Sequence, residues 1–231
     1  MSTIAIITAR GGSKRIPNKN FRDFCGKPIL LYSIEAALES GIYDEVMIST
    51  DSPIIAELAK SAGASLPFMR SEKTSTDFAS TTDVLDEVLM RYAEMGKNFE
   101  NMSCIYPTAP FINARKLREA YQRFQESNAD RLTCVVPFGY PPQRAFVIRD
   151  GNLVYQYPEY REFRSQDLET IYHDCGQFYF FKVKPYLEKK QNIITVPYMI
   201  PEDEMQDIDN ESDWRMAEIK YQRFLERENA R

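Results

Sequence analysis

The stretch TIAIITARGGSKRIPNKN, Thr3 to Asn20, decides how this chain is read. Its first six residues are apolar or β-branched, the composition of a buried strand. The next twelve hold Gly11, Gly12 and the cations Arg10, Lys14, Arg15 and Lys19. Strand followed by glycine-rich basic loop is how an open α/β sheet presents a phosphate site: ligands sit at the carboxyl ends of strands, glycine lets backbone N–H groups approach an anion, and Arg and Lys neutralise it. The spacing fits neither the G-x-x-x-x-G-K-S/T loop nor the G-x-G-x-x-G turn. On local sequence alone the segment is a triphosphate cradle or a solvated basic loop.

Working outward, the same alternation repeats. A helix is expected over Pro28–Ser40, opened by proline and stopped by Gly41. Strand Glu45–Ser49 leads to helix Pro53–Ala62, and Ser80 with Asp83 forms a capping box for a helix ending near Met95. Strand Met102–Tyr106, helix Ala114–Glu126 and strand Leu132–Val136 follow. This rhythm predicts a mainly parallel sheet with helices on both faces. From Pro137 the chain turns to proline and aromatic residues, and Asp150-Gly151 sets a hairpin between 145–148 and 153–157. Residues 138–174 therefore read as an arm inserted in a single domain spanning 1–231. Strands over Gln177–Val183 and Ile193–Tyr198 and a helix over Ser212–Glu226 complete the expectation.

At 231 residues, 43% hydrophobic and 27% charged, the composition is that of an ordinary globular domain. No apolar run approaches the ~20 residues of a membrane span, and none resembles a signal-peptide core, so a cytoplasmic protein without a membrane partner is expected. Cys25, Cys104, Cys134 and Cys175 match no zinc or disulfide spacing and read as reduced thiols. With His173 the sole histidine, any metal must rest on carboxylates, which select hard ions such as Mg²⁺. A net charge of −5 argues against a nucleic-acid partner. The charge is uneven, however: residues 1–27 hold six cations against Asp23 alone, whereas residues 201–213 hold seven acids and no base. Within the acidic stretch, Asp207 and Asp209 alternate, so in an extended segment both carboxylates point one way. That pair is a metal site facing the phosphates, or a helix cap beside plain surface acids.

Taken together, A-R-G-G-S-K-R-I-P-N-K-N, P-T-A-P at Pro107–Pro110, and D-I-D at 207–209 resemble the signature segments of the CMP-sialic acid synthetase family, over essentially the whole chain. The resemblance implies a nucleotidyltransferase-type, Rossmann-like α/β fold, a homodimer formed through the inserted arm, CTP and a nine-carbon sugar acid as substrates, and Mg²⁺. It further implies that Arg10, Gly11, Gly12, Ser13, Lys14 and Lys19 surround the CTP phosphates, that Asn20 lies near the ribose, and that Arg70 and the turn at Ser80 hold the cytosine side. Arg10 and Lys14 would stabilise charge during transfer, and Asp207 and Asp209 would bind the metal, with Asp209 accepting the proton of the attacking hydroxyl.

Two departures bear on the sugar. Tyr106 stands where sialic acid members carry Gln before Pro-Thr-Ser-Pro, and the segment Tyr172–Phe178, with His173 and Gln177, replaces their Asn-Gly-Ala. Both features resemble the branch that activates pseudaminic acid, and Arg144 and Arg164 on the arm are expected partners for the sugar carboxylate. N-acetylneuraminate or legionaminate as the sugar is the alternative. A metal-dependent glycosyltransferase, whose D-x-D pair normally lies mid-chain, is the more distant one.

Overall fold

The computed structural model describes residues 1–229. In chain order it contains β1 (Thr3–Thr8), the short strands β2 (Asp23–Phe24) and β3 (Lys27–Pro28), α1 (Ile29–Ser40), β4 (Glu45–Ser49), α2 (Pro53–Ser61), α3 (Glu72–Ser75), α4 (Thr81–Glu94) and β5 (Asn101–Ile105). Then come α5 (Ala114–Glu126), β6 (Arg131–Pro137), β7 (Phe146–Arg149), β8 (Asn152–Tyr155), β9 (Tyr172–Lys182), α6 (Val183–Leu187), β10 (Thr195–Met199) and α7 (Glu211–Asn229). Six strands form one sheet in the order β10-β6-β9-β5-β1-β4. All neighbours are parallel except β9, which runs antiparallel to β5 and β6.

The helix boundaries follow the local chemistry. Gly41, at φ 66°, ends α1 in the left-handed conformation that glycine adopts without strain. Ser52 accepts from the Ile55 amide to open α2, and the Ser80–Asp83 capping box opens α4. Residues Ile4–Ile7 of β1 are fully buried because both sheet faces are covered. Ala5 and Ile7 join the core under α1, α2 and α5, while Ile4 and Ile6 pack against Leu85, Val88 and Leu89 of α4. Of the four cysteines, Cys104, Cys134 and Cys175 are buried and Cys25 is exposed, all as free thiols.

Strand β9 departs from expectation. It begins at Tyr172, inside the stretch read as arm, and its register against β6 shifts so that Thr133 pairs with Tyr179 but Val135 with Asp174. The surplus residues bulge at Gly176, whose φ of +60° suits glycine. Alternation then sends Phe178 and Phe180 to the face under α1 and α5, and Tyr179 to the face under α4. Because α4 lies over β1 and β5, the part of that second face formed by β9 and the start of β6 is left as a groove. The arm holds the expected hairpin, with Asp150 and Gly151 both at positive φ, as a two-residue type I′ turn requires.

A third cluster lies beside the sheet and gathers Ile16, Phe24, Tyr32, Phe111, Ile208, Trp214 and Tyr221. Nearby, Lys116 and Glu204 form a buried ion pair at 2.6 Å, each side chain under a tenth exposed. Lys116 also donates to the Phe111 carbonyl, and the Gln177 amide donates to the Glu204 carbonyl. This cluster joins α5, β9 and the segment leading to Asp207. Removing one member of a buried pair strands the other's charge, at a cost of about 3 to 5 kcal/mol. Arg227 also stands 3.7 Å from the other Glu204 oxygen, so Lys116→Met is expected to destabilise by less than that amount in chemical denaturation. Lys116→Met combined with Glu204→Leu should recover most of the loss.

Candidate active site

At the carboxyl ends of β1 and β5 the basic loop, Thr74–Thr81 and Tyr106–Thr108 enclose a cavity of about 380 Å³. Arg10, Lys19, Asn20, Arg70 and Ser80 all line it. A contiguous cavity of about 300 Å³ is bounded by Arg10, Ser13, Lys14, Arg15, Lys19, Asp77 and Asp209. The structure thus brings together the amino-terminal cations and one acid of the D-I-D segment.

Each side chain is held by identifiable contacts. Buried Arg70 donates to Ser49 through Nε and Nη2 at 3.0 and 2.7 Å, and burial lowers its pKa. Asn20 donates to the Arg10 carbonyl at 2.8 Å and so braces the loop from inside. Lys19 donates to the Ile208 carbonyl at 2.8 Å; burial pushes its ammonium pKa down, while the charges of Asp209 and Asp207 pull it up. Ser80 caps α4, whose amino terminus faces the cavity and places a partial positive charge there.

The two glycines differ. Gly11 already donates its amide to Asp51 at 2.7 Å, and a Cβ there would stand 2.9 Å from the Ser52 side chain. Its glycine is required by the start of α2 packing against the loop, and the expected donation from its amide to a phosphate is replaced by the Asp51 contact. Around Gly12 there is open space.

In this state the cations have internal partners. Arg10 contacts Asp77 at 2.8 Å, Lys14 pairs with the same carboxylate, and Arg15 pairs with Asp209 at 2.7 Å. Hydrogen bonds from Lys14 and Arg10 hold the Asp77 carboxyl below the usual range. Asp77 carries no sequence signal on its own, because its role depends on α3 folding it back over a loop more than sixty residues earlier.

Asp207 and Asp209 flank the buried Ile208. Capping of α7 is done by Asn210, which accepts from Ser212 and Asp213, and by Asp213, which accepts from Asp209 and Asn210. Neither carboxylate of the D-I-D pair acts as the cap. The Asp207 carboxylate makes no hydrogen bond or ion pair among the described residues, and burial, followed by the charge of Asp209, raises its pKa. Among the described residues no cluster of three or more His, Cys, Asp or Glu could hold a metal. An uncommitted carboxylate beside a second one suits Mg²⁺, which takes one or two carboxylates and completes its shell with phosphate oxygens and water.

A further cavity of about 320 Å³ lies in the groove beside α4 and shares Thr81 and Tyr106 with the first. Tyr106 is therefore the wall between them, its ring 5.7 Å from that of Tyr179. Asp174, Tyr179 and Arg131 line the new cavity. Three residues expected at a sugar line neither cavity in their own chain: Arg144 contacts Ser165, Arg164 is exposed and bridges to Asp167 in two contacts, and the His173 ring meets that of Phe138 at a tilt, 4.7 Å between centroids. The expectation for Gln177 is revised, because its side chain is buried and ties β9 to Glu204.

Cations, a helix amino terminus and a carboxylate pair at the carboxyl edge of an α/β sheet define a nucleotidyltransferase site. The cytidylyltransferase family model matches residues 4–226, and the chain belongs to that family. It is 42% identical to the pseudaminic acid cytidylyltransferase of Campylobacter jejuni subsp. jejuni, over 96% of this chain and 97% of that one. Identity to the CMP-N,N'-diacetyllegionaminic acid synthase of Legionella pneumophila is 34%, covering 94% and 95%. The fold matches that of CMP:2-keto-3-deoxy-manno-octonic acid synthetase complexed with CTP, with TM-score 0.70, 17% identity and coverage of 96% and 99%. No helix among the described residues is long and apolar enough to cross a membrane.

Arg10→Ala and Lys19→Ala are each expected to weaken CTP binding about tenfold or more, the scale of one charge-assisted hydrogen bond. Asp77→Asn should act in the opposite sense, tightening CTP binding by freeing Arg10 and Lys14. Titration calorimetry of the three variants checks both signs.

Proposed function

We propose that this cytidylyltransferase moves CMP from CTP to the anomeric hydroxyl of pseudaminic acid and releases pyrophosphate. The observation that carries the reading is Tyr106 as the common wall of two cavities. The larger is basic, and the smaller sets the apolar surfaces of Leu85, Tyr179 and Phe181 beside Arg131, Asp130 and Asp174. A phenol ring offers a large apolar face with a single hydroxyl, which suits a deoxygenated, methyl-bearing sugar. The 42% identity to a pseudaminic acid cytidylyltransferase supports the same choice.

In this reading CTP lies with its triphosphate among Arg10, Ser13, Lys14 and Lys19 and its base toward Arg70 and Ser80. Asp207 and Asp209 would hold Mg²⁺, which when bound would supply charge neutralisation to the phosphates. The anomeric hydroxyl oxygen bonds to the α-phosphorus as the bond from that phosphorus to the bridging oxygen breaks. Pyrophosphate carries away the electron pair, and the hydroxyl proton passes to Asp209. Transfer of this kind depends on positioning and charge neutralisation, which Arg10 and Lys14 provide. Release of pyrophosphate from CTP, followed across a panel of nine-carbon sugar acids, tests the proposal. Pseudaminic acid should give a kcat/KM at least about tenfold above N-acetylneuraminic acid, since each mismatched polar group left unpaired costs about 1 to 3 kcal/mol. Comparable values would return the sugar to the N-acetylneuraminate alternative.

The proposal includes a homodimer through the arm. Phe146, Ile148 and Leu153 of the hairpin are exposed, with Ile148 at 76%, and such apolar area calls for a cover. Arg144 and Arg164 would then reach the partner's sugar cavity. Replacing Pro141–Arg161 by a short glycine linker should give a monomer that still binds CTP. An unchanged sedimentation mass would reject the arm as the interface.

A further inference from the structure

Arg131 opens β6 and lines the smaller cavity. No hydrogen bond or ion pair to its guanidinium occurs among the described residues, and its Nε is buried without a partner. What it does have is aromatic: the guanidinium carbon lies 5.4 Å from the Tyr179 ring centroid and 5.5 Å from that of Phe181. The two acids that line the same cavity have other partners. Asp130 pairs with Lys190 and accepts from the Ile194 amide, and Asp174 accepts from the Tyr179 hydroxyl and the Gly176 amide. Buried polar groups in folded proteins are nearly always paired, and a guanidinium has five donors to place. One facing a cavity with none of them placed is provisioned for a ligand acceptor.

Position identifies which acceptor. Arg131 is in register with Phe181, and Phe181 with Met102. It therefore starts four residues below Tyr106, or about 13 Å along the strand direction at ~3.3 Å per residue. The carboxylate of a nonulosonic acid is bonded to the anomeric carbon and so stays near Tyr106 and the reacting phosphate. What reaches Arg131 is the opposite end of the sugar, where N-acyl groups sit.

We propose that Arg131 is a specificity-determining residue that donates to the carbonyl oxygen of an N-acyl group at the end of the sugar remote from the anomeric carbon. Tyr179 and Phe181 hold the guanidinium in plane and give the acyl methyl an apolar surface. This assignment rests on reading the smaller cavity as the sugar site.

The test is steady-state kinetics of the full-length wild type, Arg131→Met and Arg131→Lys, with pseudaminic acid and its N-deacylated amine as alternative substrates. Wild type should favour the acylated sugar at least tenfold. Arg131→Met should raise the KM for the acylated sugar about tenfold, the scale of one hydrogen bond to a charged group, and abolish the preference, with kcat and the KM for CTP nearly unchanged. Arg131→Lys, which keeps the charge but loses the planar fork, should fall between. Without ligand, Arg131→Met should melt close to wild type, since it breaks no hydrogen bond or ion pair and a thioether can pack on the same two rings. A preference retained in Arg131→Met, or a loss confined to kcat, overturns the proposal. So does a lowered melting temperature with unchanged KM, which would mark Arg131 as a packing residue. If Arg131→Met does not fold, an unchanged KM and preference in Arg131→Lys would overturn it equally. Absence of pyrophosphate release by wild type with any sugar acid would instead remove the reading of the cavity.

Discussion

Burial of Ile16 and Ile208 in one aromatic cluster fixes where the two charged segments of the candidate active site lie. Ile16 sits between Arg15 and the turn that leads to Lys19, and Ile208 sits between the two aspartates; both are essentially inaccessible. Around them Phe24 meets Trp214 and Tyr221 edge-on at 5.5 and 5.4 Å. Burying one such isoleucine is worth about 1.5 to 3 kcal/mol. An exposed pair such as Arg15–Asp209 is worth about 0 to 1 kcal/mol. The apolar anchors therefore set the distance between loop and carboxylates, and the ion pairs across it are consequences that a ligand can exchange cheaply.

A second constraint holds the carboxylate segment from below. Glu204 meets Lys116 in a buried pair, and its carbonyl receives the Gln177 amide. Burial lowers the Lys116 pKa while Glu204 raises it, as expected for an ion taken out of water beside its counter-ion. Because α5, β9 and the approach to Asp207 all converge there, Asp207 and Asp209 are tied to the core although they sit on a loop.

What could be read from the sequence was what local pattern encodes. The β1 run, the capping box at Ser80, the Asp150-Gly151 turn and the basic loop each carry their cause within a few residues. The D-I-D pair was legible as a pair, but only the positions of Asn210 and Asp213 separate it from a helix cap. Strand β9 was legible as strand but not as antiparallel or central, since direction follows from where the arm returns the chain. The neighbours of Gln177 resemble a sugar segment, yet its amide nitrogen donates to Glu204, a partner distant in sequence. Asp77 and Arg131 went unseen for the same reason: one is defined by the cations it reaches, the other by the partners it lacks.

The pairing of Asp77 with Arg10 and Lys14 has a kinetic side. Arg10, Lys14, Arg15, Lys19 and the buried Arg70 meet Asp77, Asp207 and Asp209, so most of the charge of the free site is compensated and only a small positive excess is seen from solution. Fields from exposed charges fade within a Debye length of about 8 Å at physiological ionic strength, and compensated charges fade sooner. A nucleotide bound there as proposed would be drawn in only weakly from afar and would meet the cations mainly on contact, as one anion trading places with another. Added salt then acts mainly on how long the nucleotide stays, and little on how fast it comes.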